Sequence, residues 1–171
     1  MKYRMIKQQE FDAYMNMALD EAICESVKNE ESLPTIRFYT WNPGAISIGY
    51  FQGLKNEVNI EECQKQDINY VRRRTGGGAV YHDTEGEITY SIIAPQEAFP
   101  SDITASYEKI CSHLIDALEQ LGIKAEFSPI NDVIVDGKKI SGSAQTRRNG
   151  ILLQHGTILY KVDVDKMFSL L

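Results

Sequence analysis

Apolar positions follow a helical period in some segments of the chain and form short, strand-like runs in others. Apolar residues recur every three or four positions from Asp12 to about Val27, which predicts an amphipathic helix with Asp20 on its polar side. The segment after Ser101 has the same period and stops at Gly122, where a C-terminal cap glycine belongs. These two segments are the longest predicted helices.

Short apolar runs rich in β-branched residues predict the strands. They read TIRFYT, AISIGYF, INYVRR, ITYSIIAP, IKAEF, DVIV, KKISGSA and ILLQHGTILY. A hairpin turn is predicted at residues 136–138, a short helix at residues 57–67 and the start of another helix at DKMFSLL. This mixture predicts an α+β fold with a mixed, largely antiparallel sheet flanked by helices, within one domain over residues 1–171.

Composition narrows the class of partner. The chain is 43% hydrophobic and 25% charged, which is typical of a globular domain. Its net charge of −6 argues against a surface that binds nucleic acid. No apolar run reaches the ~18 residues of a membrane span, and no signal peptide is evident. The basic residues are clustered at residues 72–74, 138–139 and 147–148, which favours a local pocket for a small anion.

Cysteine usage bears on the compartment. Cys24, Cys63 and Cys111 are odd in number, far apart and free of CxxC spacing. This pattern favours neither a disulfide framework nor a zinc site. It predicts a reducing, cytoplasmic environment.

The stretch RRRTGGGAVYHD, residues 72–83, is the first candidate for chemistry. Successive glycines allow backbone N–H groups to converge on an anion, although neither a Walker A nor a GxGxxG pattern is present. Alternation along the preceding strand favours Arg73 as the inward arginine. The alternative is a glycine-rich hairpin with solvated arginines, in which His82 and Asp83 form a turn held by a side-chain hydrogen bond.

Two later segments offer further candidates. In NDVIVDGKKISGSAQ, Lys139 opens a strand and is a better inward cation than Lys138, which lies in the turn. Such a lysine can bind a phosphate and stabilise an oxyanion, or it can be a solvated surface residue. In QHGTIL, His155 and Thr157 lie on one face of a strand, where they can serve either a site or the core.

These three segments together resemble the lipoate-protein ligase A family of the biotin and lipoate ligase superfamily. The resemblance runs through essentially the whole chain, including RFYTWNPGAISIGYFQ. It implies a class II synthetase-like catalytic domain that activates lipoate with ATP to lipoyl-AMP. The lipoyl group then passes to a lysine of a carrier domain in a 2-oxoacid dehydrogenase or glycine cleavage complex.

The resemblance also implies a set of site residues. Lys139 would be catalytic, and Asp132 would hold Mg²⁺ beside the nucleotide. The residues implied to bind substrate or nucleotide are Arg73, Thr75, Gly76, Gly77, Gly78, Ala79, His82, Asn131, Asp132, His155, Gly156 and Thr157. ATP and Mg²⁺ are the implied cofactors and lipoate the implied substrate.

Departures from the family pattern leave alternatives. After the His-Asp pair the chain reads TEGEITYS, which is closer to octanoyltransferase and ligase relatives with an ELTYS-like strand. Ligases of the family continue into further elements and often a small C-terminal domain, so we expect this short chain to be truncated or completed by a partner chain. One alternative is therefore a subunit that binds lipoyl-adenylate and needs that partner.

The nearest alternative is an octanoyl or lipoyl transferase with a cysteine nucleophile and no ATP. In those relatives the cysteine lies shortly before the segment equivalent to NDVIVDGKK. Here the stretch GIKAEFSPI has no cysteine, and Cys111 lies on the apolar face of a predicted helix. On this ground the sequence predicts the ligase.

Overall fold

The computed structural model describes residues 1–171, which form two sheets and five α-helices. The strands are β1 (Arg4–Phe11), β2 (Thr35–Trp41), β3 (Ala45–Ile48), β4 (Asn69–Arg72), β5 (Val80–His82), β6 (Glu87–Pro95), β7 (Glu126–Ser128), β8 (Asp132–Val135), β9 (Lys138–Arg148) and β10 (Ile151–Leu159). The helices are α1 (Ala13–Lys28), α2 (Leu54–Glu57), α3 (Ile60–Lys65), α4 (Ile103–Gln120) and α5 (Val164–Leu170).

The larger sheet has seven strands in the order β1-β2-β6-β10-β9-β8-β7. All of its neighbouring strands are antiparallel except β1 and β2. The smaller sheet has the order β4-β3-β5, with β3 parallel to β4 and antiparallel to β5. The predicted α+β fold with a mixed, largely antiparallel sheet is therefore confirmed.

Two strands were not predicted from the sequence pattern. The edge strand β1 is almost entirely exposed, so it carries no alternation of apolar and polar residues. The strand β5 has only three residues and follows directly on the glycine loop. β1 is held by pairing with β2, and β5 is held by pairing with β3 and by Tyr81, which is buried in the core cluster of the smaller sheet.

The orientation of α1 differs from the prediction. The helix begins where expected, because the Asp12 carboxylate accepts a hydrogen bond from the Met15 amide at 2.8 Å. Asp20 was predicted to lie on the polar, solvated face, but it is only 2% exposed. It faces the sheet because Arg37 on β2 provides an opposite charge at 3.0 Å.

Two turn predictions and one core prediction are confirmed. Gly122, just after α4, has a positive φ of 80°, and the turn between β8 and β9 has positive φ at Asp136 and Gly137. Cys111 on α4 is fully buried in a cluster with Leu118 and Val133. None of the helices has the length and apolarity needed to cross a membrane.

The turn between β2 and β3 moves the chain from the larger sheet to the smaller one. Tyr39 and Trp41 at the end of β2 pack with Ala45 at the start of β3 and with Ala13 of α1. The sequence placed the two strands correctly around this turn but could not indicate that they belong to different sheets. A cavity lies at the junction, with walls from both sheets.

Candidate active site

The cavity measures about 620 Å³, within the range of about 300–1,000 Å³ typical of small-molecule sites. It brings together the glycine loop, the start of β9 and the middle of β10, which are far apart in sequence. The predicted site residues on its wall are Arg73, Gly77, Gly78, Ala79, His82, Asn131, Lys139, His155, Gly156 and Thr157. Their convergence favours a site over the alternative of separate surface residues.

Three predicted site residues lie behind the wall. Thr75 is fully buried and bonds to His155, with 2.7 Å between Thr75 Oγ1 and His155 Nε2. Gly76 offers its carbonyl to Arg73, and Asp132 contacts Lys139. Contact of these three with a ligand stays a prediction, and in this structure they support residues that line the cavity.

Arg73 is the buried one of the three consecutive arginines, at 4% exposure. A guanidinium has five N–H donors, and here all are used within the protein. Nε donates to Thr75 Oγ1 at 3.1 Å, Nη1 to the Ser47 carbonyl and hydroxyl at 2.7 and 3.1 Å, and Nη2 to the carbonyls of Gly76 and Gly78 at 2.8 and 2.6 Å. Burial lowers the pKa of Arg73 to about 10. The inward position is confirmed, and the side chain orders the glycine loop.

This arrangement leaves the amides of the glycine loop free. No hydrogen bond within the protein uses the N–H of Gly76, Gly77 or Gly78 as donor. Gly77 and Gly78 line the cavity, and Gly77 has a φ of 95°, which an L side chain rarely adopts. Consecutive free amides of this kind can bind an anion or an oxyanion.

Lys139 of β9 places a positive charge in the cavity wall. Its Nζ lies 2.8 Å from Asp132 Oδ1 of β8, and its side chain is 53% exposed. Gly142 makes room for it, since a Cβ there would lie 2.7 Å from Lys139 Cε and 2.8 Å from Nζ. Of the pair Lys138 and Lys139, only Lys139 is part of the wall, as predicted, and Lys161 also lines the cavity.

Asp132 as a magnesium ligand stays a prediction. Its Oδ1 lies 2.8 Å from the Lys139 ammonium. No group of three or more histidine, cysteine or acidic side chains is placed to hold a metal by itself. A single carboxylate holds Mg²⁺ together with substrate phosphates, so Asp132 would bind the ion only beside a bound nucleotide.

His82 is buried against the wall and fixed on three sides. Its Nε2 lies 2.8 Å from Ser47 Oγ, and its Nδ1 lies 2.6 Å from Glu87 Oε1. The ring stacks on Trp41 with 4.0 Å between centroids. The turn alternative is correct for Asp83 alone, whose carboxylate accepts from the Glu85 amide at 2.9 Å.

His155 belongs to a row of side chains across three strands. Arg37 of β2 is opposite Ser91 of β6, which is opposite His155 of β10. Asp20 of α1 lies over this row, with its oxygens 3.0 Å from Arg37, 2.9 Å from Ser91 and 3.5 Å from His155. Burial lowers the pKa of His155. Burial opposes ionisation of Asp20, but His155, Arg37 and Ser91 outweigh it and lower the pKa of Asp20.

Sequence reasoning missed Ser47, Glu87 and Asp20. Ser47 and Glu87 are embedded in or beside apolar strand segments, where a polar residue gives no signal of its partners. A signal for Asp20 did exist. The buried positions of α1 are 13, 16, 20, 23 and 27, which follow a helical period that includes Asp20.

Much of the rest of the wall is apolar. Aromatic rings come from β2 and β5, and aliphatic side chains come from the end of β10 and from the segment that follows it, including α5. These residues are Tyr39, Trp41, Tyr81, Leu159, Val162, Val164, Met167 and Leu171. These eight side chains, called the apolar compartment below, could hold a hydrocarbon chain in the same cavity as Lys139 and the glycine loop, which are called its cationic end.

Comparison with known proteins points to one family. The lipoyl protein ligase A/B catalytic domain matches residues 12–171. The octanoyltransferase LipM of Brevibacillus brevis is 41% identical, over 99% of this chain and 70% of that protein. Ta0514 of Thermoplasma acidophilum, solved with bound lipoic acid, is 32% identical with a TM-score of 0.85, over 99% of this chain and 73% of that one. A lipoate-protein ligase A bound with ATP has the same identity and TM-score, over 99% of this chain and 71% of that one.

These relatives correct one prediction and confirm another. The predicted ATP-dependent activation of lipoate is wrong, because relatives of about 40% identity over nearly the whole chain are octanoyltransferases. The prediction rested on the absence of a cysteine from GIKAEFSPI, and the three motifs could not correct it, since both reactions need an acyl pocket, donors for an oxyanion and access for a lysine. The predicted resemblance to the lipoate-protein ligase A family and the predicted fold of its catalytic domain are confirmed. The chain belongs to the lipoyl protein ligase A/B catalytic domain family.

Proposed function

We propose that this chain transfers an octanoyl group from a carrier-protein thioester to the ε-amino group of a lysine on a lipoyl domain. The observation that carries the proposal is the 41% identity to an octanoyltransferase over 99% of the chain. A thioester is already activated, so the reaction needs neither ATP nor an adenylate. A lipoyl domain as acceptor is supported by a similar structure from the lipoylation system of Thermoplasma acidophilum, which comprises a bi-partite lipoate protein ligase and its E2 lipoyl domain.

The apolar compartment holds the acyl chain. Tyr39, Trp41 and Tyr81 contribute aromatic rings to its lining, and Val164 and Met167 of α5 contribute aliphatic side chains. Each methylene moved from water into such a compartment contributes about 0.8 kcal/mol. An eight-carbon chain therefore binds mainly through its tail, and the carbonyl is left at the cationic end.

The cationic end stabilises the charge that develops during transfer. The carbonyl oxygen becomes an oxyanion when a nucleophile attacks, and the free amides of Gly77 and Gly78 can donate to it. Lys139 adds a positive charge that Asp132 holds in place at 2.8 Å. These groups interact more strongly with the oxyanion than with the neutral carbonyl, which lowers the barrier.

The test is a transfer assay with the purified chain, octanoyl carrier protein and an unmodified lipoyl domain, without ATP. We expect the lipoyl domain to gain one octanoyl group by mass spectrometry. Lys139→Ala should reduce the rate about 100-fold or more, as expected for a lost oxyanion donor. Lys138→Ala is the matched control, because that side chain lies outside the cavity.

Two results would contradict the proposal. One is modification of the lipoyl domain only when free octanoate or lipoate is supplied with ATP. The other is equal loss of rate in Lys138→Ala and Lys139→Ala, which would point to a general charge effect.

A further inference from the structure

A serine, a histidine and a glutamate form a continuous hydrogen-bonded chain in the cavity wall. Ser47 Oγ lies 2.8 Å from His82 Nε2, and His82 Nδ1 lies 2.6 Å from Glu87 Oε1. Ser47 and His82 line the cavity. A hydroxyl, an imidazole and a carboxylate in this order are the arrangement by which enzymes activate a serine nucleophile.

The strand pairing produces this geometry. His82 of β5 is opposite Ala45 of β3, and Ser47 lies two residues further along β3. Residues two apart on a strand face the same side, so Ser47 and His82 are diagonal neighbours on one face. Glu87 comes from the start of β6 in the other sheet. The chain of contacts therefore exists only where the two sheets meet.

The neighbours of the chain fix the direction of each hydrogen bond. Arg73 can only donate, and its Nη1 donates to Ser47 Oγ at 3.1 Å. At the other end of the chain, a Glu87 carboxylate can only accept, so His82 carries its ring proton on Nδ1 and donates it to Glu87. In the neutral ring Nε2 is then an acceptor, so the Ser47 hydroxyl donates to Nε2 while its oxygen accepts from Arg73. This tautomer leaves Nε2 as the base that can take the Ser47 proton.

Glu87 is placed to stabilise a protonated His82. The residue is fully buried, its Oε1 accepts from His82 and from Thr89 at 2.6 Å, and its Oε2 has no hydrogen-bond partner. A buried carboxylate oxygen without a partner is costly. The cost falls when the adjacent imidazole becomes positive, which is the state reached when His82 accepts a proton.

The other candidate nucleophiles are less well placed. Thr75 bonds to His155, but Thr75 does not line the cavity, and His155 Nδ1 is 3.5 Å from an Asp20 already held by Arg37. Cys111 is fully buried outside the cavity, with its Sγ 3.9 Å from Ser143 Oγ, and burial raises the pKa of its thiol. Ser47 is the nucleophilic side chain that combines a base with access to the cavity.

We propose that Ser47 carries the octanoyl group as an ester between donor and acceptor. This inference rests on the proposed transferase function and names the nucleophile of that same site. Ser47 Oγ attacks the thioester carbonyl, and its proton moves to His82 Nε2. The carbon–sulfur bond then breaks, and the departing carrier thiolate takes the proton from His82 and leaves as a thiol.

The second half of the reaction releases the acyl group as an amide. The neutral ε-amino group of the lipoyl-domain lysine attacks the ester carbonyl, and its proton moves to His82 Nε2. The carbon–Oγ bond breaks, and His82 returns the proton to Ser47. No oxidant, metal or nucleotide is needed for this balance, and the enzyme ends in its starting state.

The experiment traps the intermediate in the wild-type chain. The chain is incubated with octanoyl carrier protein alone, and its mass and peptides are analysed. We expect one octanoyl group on the peptide that contains Ser47, resistant to neutral hydroxylamine and removed on addition of the lipoyl domain. Ser47→Ala should abolish the adduct and the transfer, whereas the exposed Ser101→Ala should change neither.

Other outcomes overturn the inference while leaving the proposed function intact. An adduct that is sensitive to hydroxylamine and lost in Cys111→Ser identifies a thioester on that cysteine. Transfer at the wild-type rate by a folded Ser47→Ala chain, or transfer without any adduct, identifies direct attack by the acceptor lysine. Mapping on the wild-type chain decides these cases even if Ser47→Ala fails to fold.

If the chain does not use the thioester as a donor, the proposed function fails. A separate reagent then tests whether Ser47 is activated. Octyl fluorophosphonate reacts with an activated serine and places the alkyl chain in the apolar compartment. Labelling of Ser47 in the wild type, lost in His82→Ala, supports an activated Ser47. Absence of labelling at Ser47 overturns it.

Discussion

Three consecutive arginines of this chain have three different environments. Arg72 donates to the carbonyls of Gly49, Tyr50 and Gln52 at the surface. Arg73 is buried and divides its donors between Ser47 of β3, Thr75 and the carbonyls of Gly76 and Gly78, and Arg74 forms a surface ion pair with Glu21 of α1. At the scale of the residue, position and not chemical type decides what each guanidinium does.

Arg73→Lys should destabilise the protein by about 2–4 kcal/mol, because an ammonium cannot reach both loop carbonyls and buried groups left without partners cost about 1–3 kcal/mol each. Arg74→Lys is the matched control, with an expected change of about 0–1 kcal/mol for a surface ion pair. Urea unfolding measures both. Equal values for the two variants would contradict the role assigned to Arg73 in holding the loop.

A second prediction at this scale concerns Gly142. A methyl group at this position would meet Lys139 Cε at 2.7 Å and Nζ at 2.8 Å, so Gly142→Ala should push the ammonium away from Asp132. The contact is with the end of a flexible side chain, so stability should change by less than about 1 kcal/mol while the transfer rate falls about tenfold or more. Steady-state transfer rates and urea unfolding check this. An unchanged rate would separate Lys139 from the chemistry.

At the scale of the element, the smaller sheet positions the glycine loop. Strand β3 pairs with β4 before the loop and with β5 after it, so both ends of the loop are anchored to one strand. Gly49 follows β3 directly and packs against the loop backbone. A Cβ at Gly49 would lie 2.0 Å from the Gly77 carbonyl oxygen.

Gly49→Ala should therefore displace the loop, lower stability by about 1–3 kcal/mol as expected for overpacking, and abolish transfer. Gly53→Ala lies on the same connection but meets only the Asn56 side-chain amide at 3.1 Å, which can move. It should stay near wild type in both assays. Thermal unfolding and transfer rates of the pair test whether the β3–loop contact maintains the site.

At the scale of the whole molecule, the pairing of strands from both halves of the chain creates a buried polar layer under the cavity. Arg37, Ser91 and His155 lie in one row of the sheet, and Asp20 of α1 covers them. Folding brings these groups out of water, so the stability of the molecule depends on their protonation.

The sign of this dependence follows from the pKa shifts. Burial lowers the pKa of His155 from its usual 6.5, so below about that pH the unfolded chain binds a proton that the folded chain does not. Stability should fall from pH 7 towards pH 5, with a slope of at most about 1.4 kcal/mol per pH unit for one proton. The pKa of Asp20 is lowered from 3.8, so its contribution is lost only at more acidic pH.

His155→Gln tests this assignment because it removes the titrating ring and keeps a hydrogen-bonding side chain. Urea unfolding at several pH values should give a flatter profile between pH 7 and pH 5 than the wild type. A wild-type slope in the variant would assign the acid sensitivity to other groups.

The sequence by itself determined the elements, the turns and the segments of the site. Periodicity placed α1, α4 and most strands, because one face of each packs on the core. Turn glycines and the inward Arg73 and Lys139 followed from local rules of φ and alternation. The family followed from three motifs, although these could not separate a ligase from a transferase, because both reactions use the same oxyanion site.

Only the tertiary structure decided which polar residues meet. Ser47 joins His82 and Glu87 because strand register and the junction of two sheets bring them within hydrogen-bonding distance, and register is not visible in any one segment. Asp20 is buried because Arg37, on another element, compensates its charge. Local sequence specifies the conformation of a segment, whereas the partners of a buried polar group come from distant segments and depend on how the sheets pack.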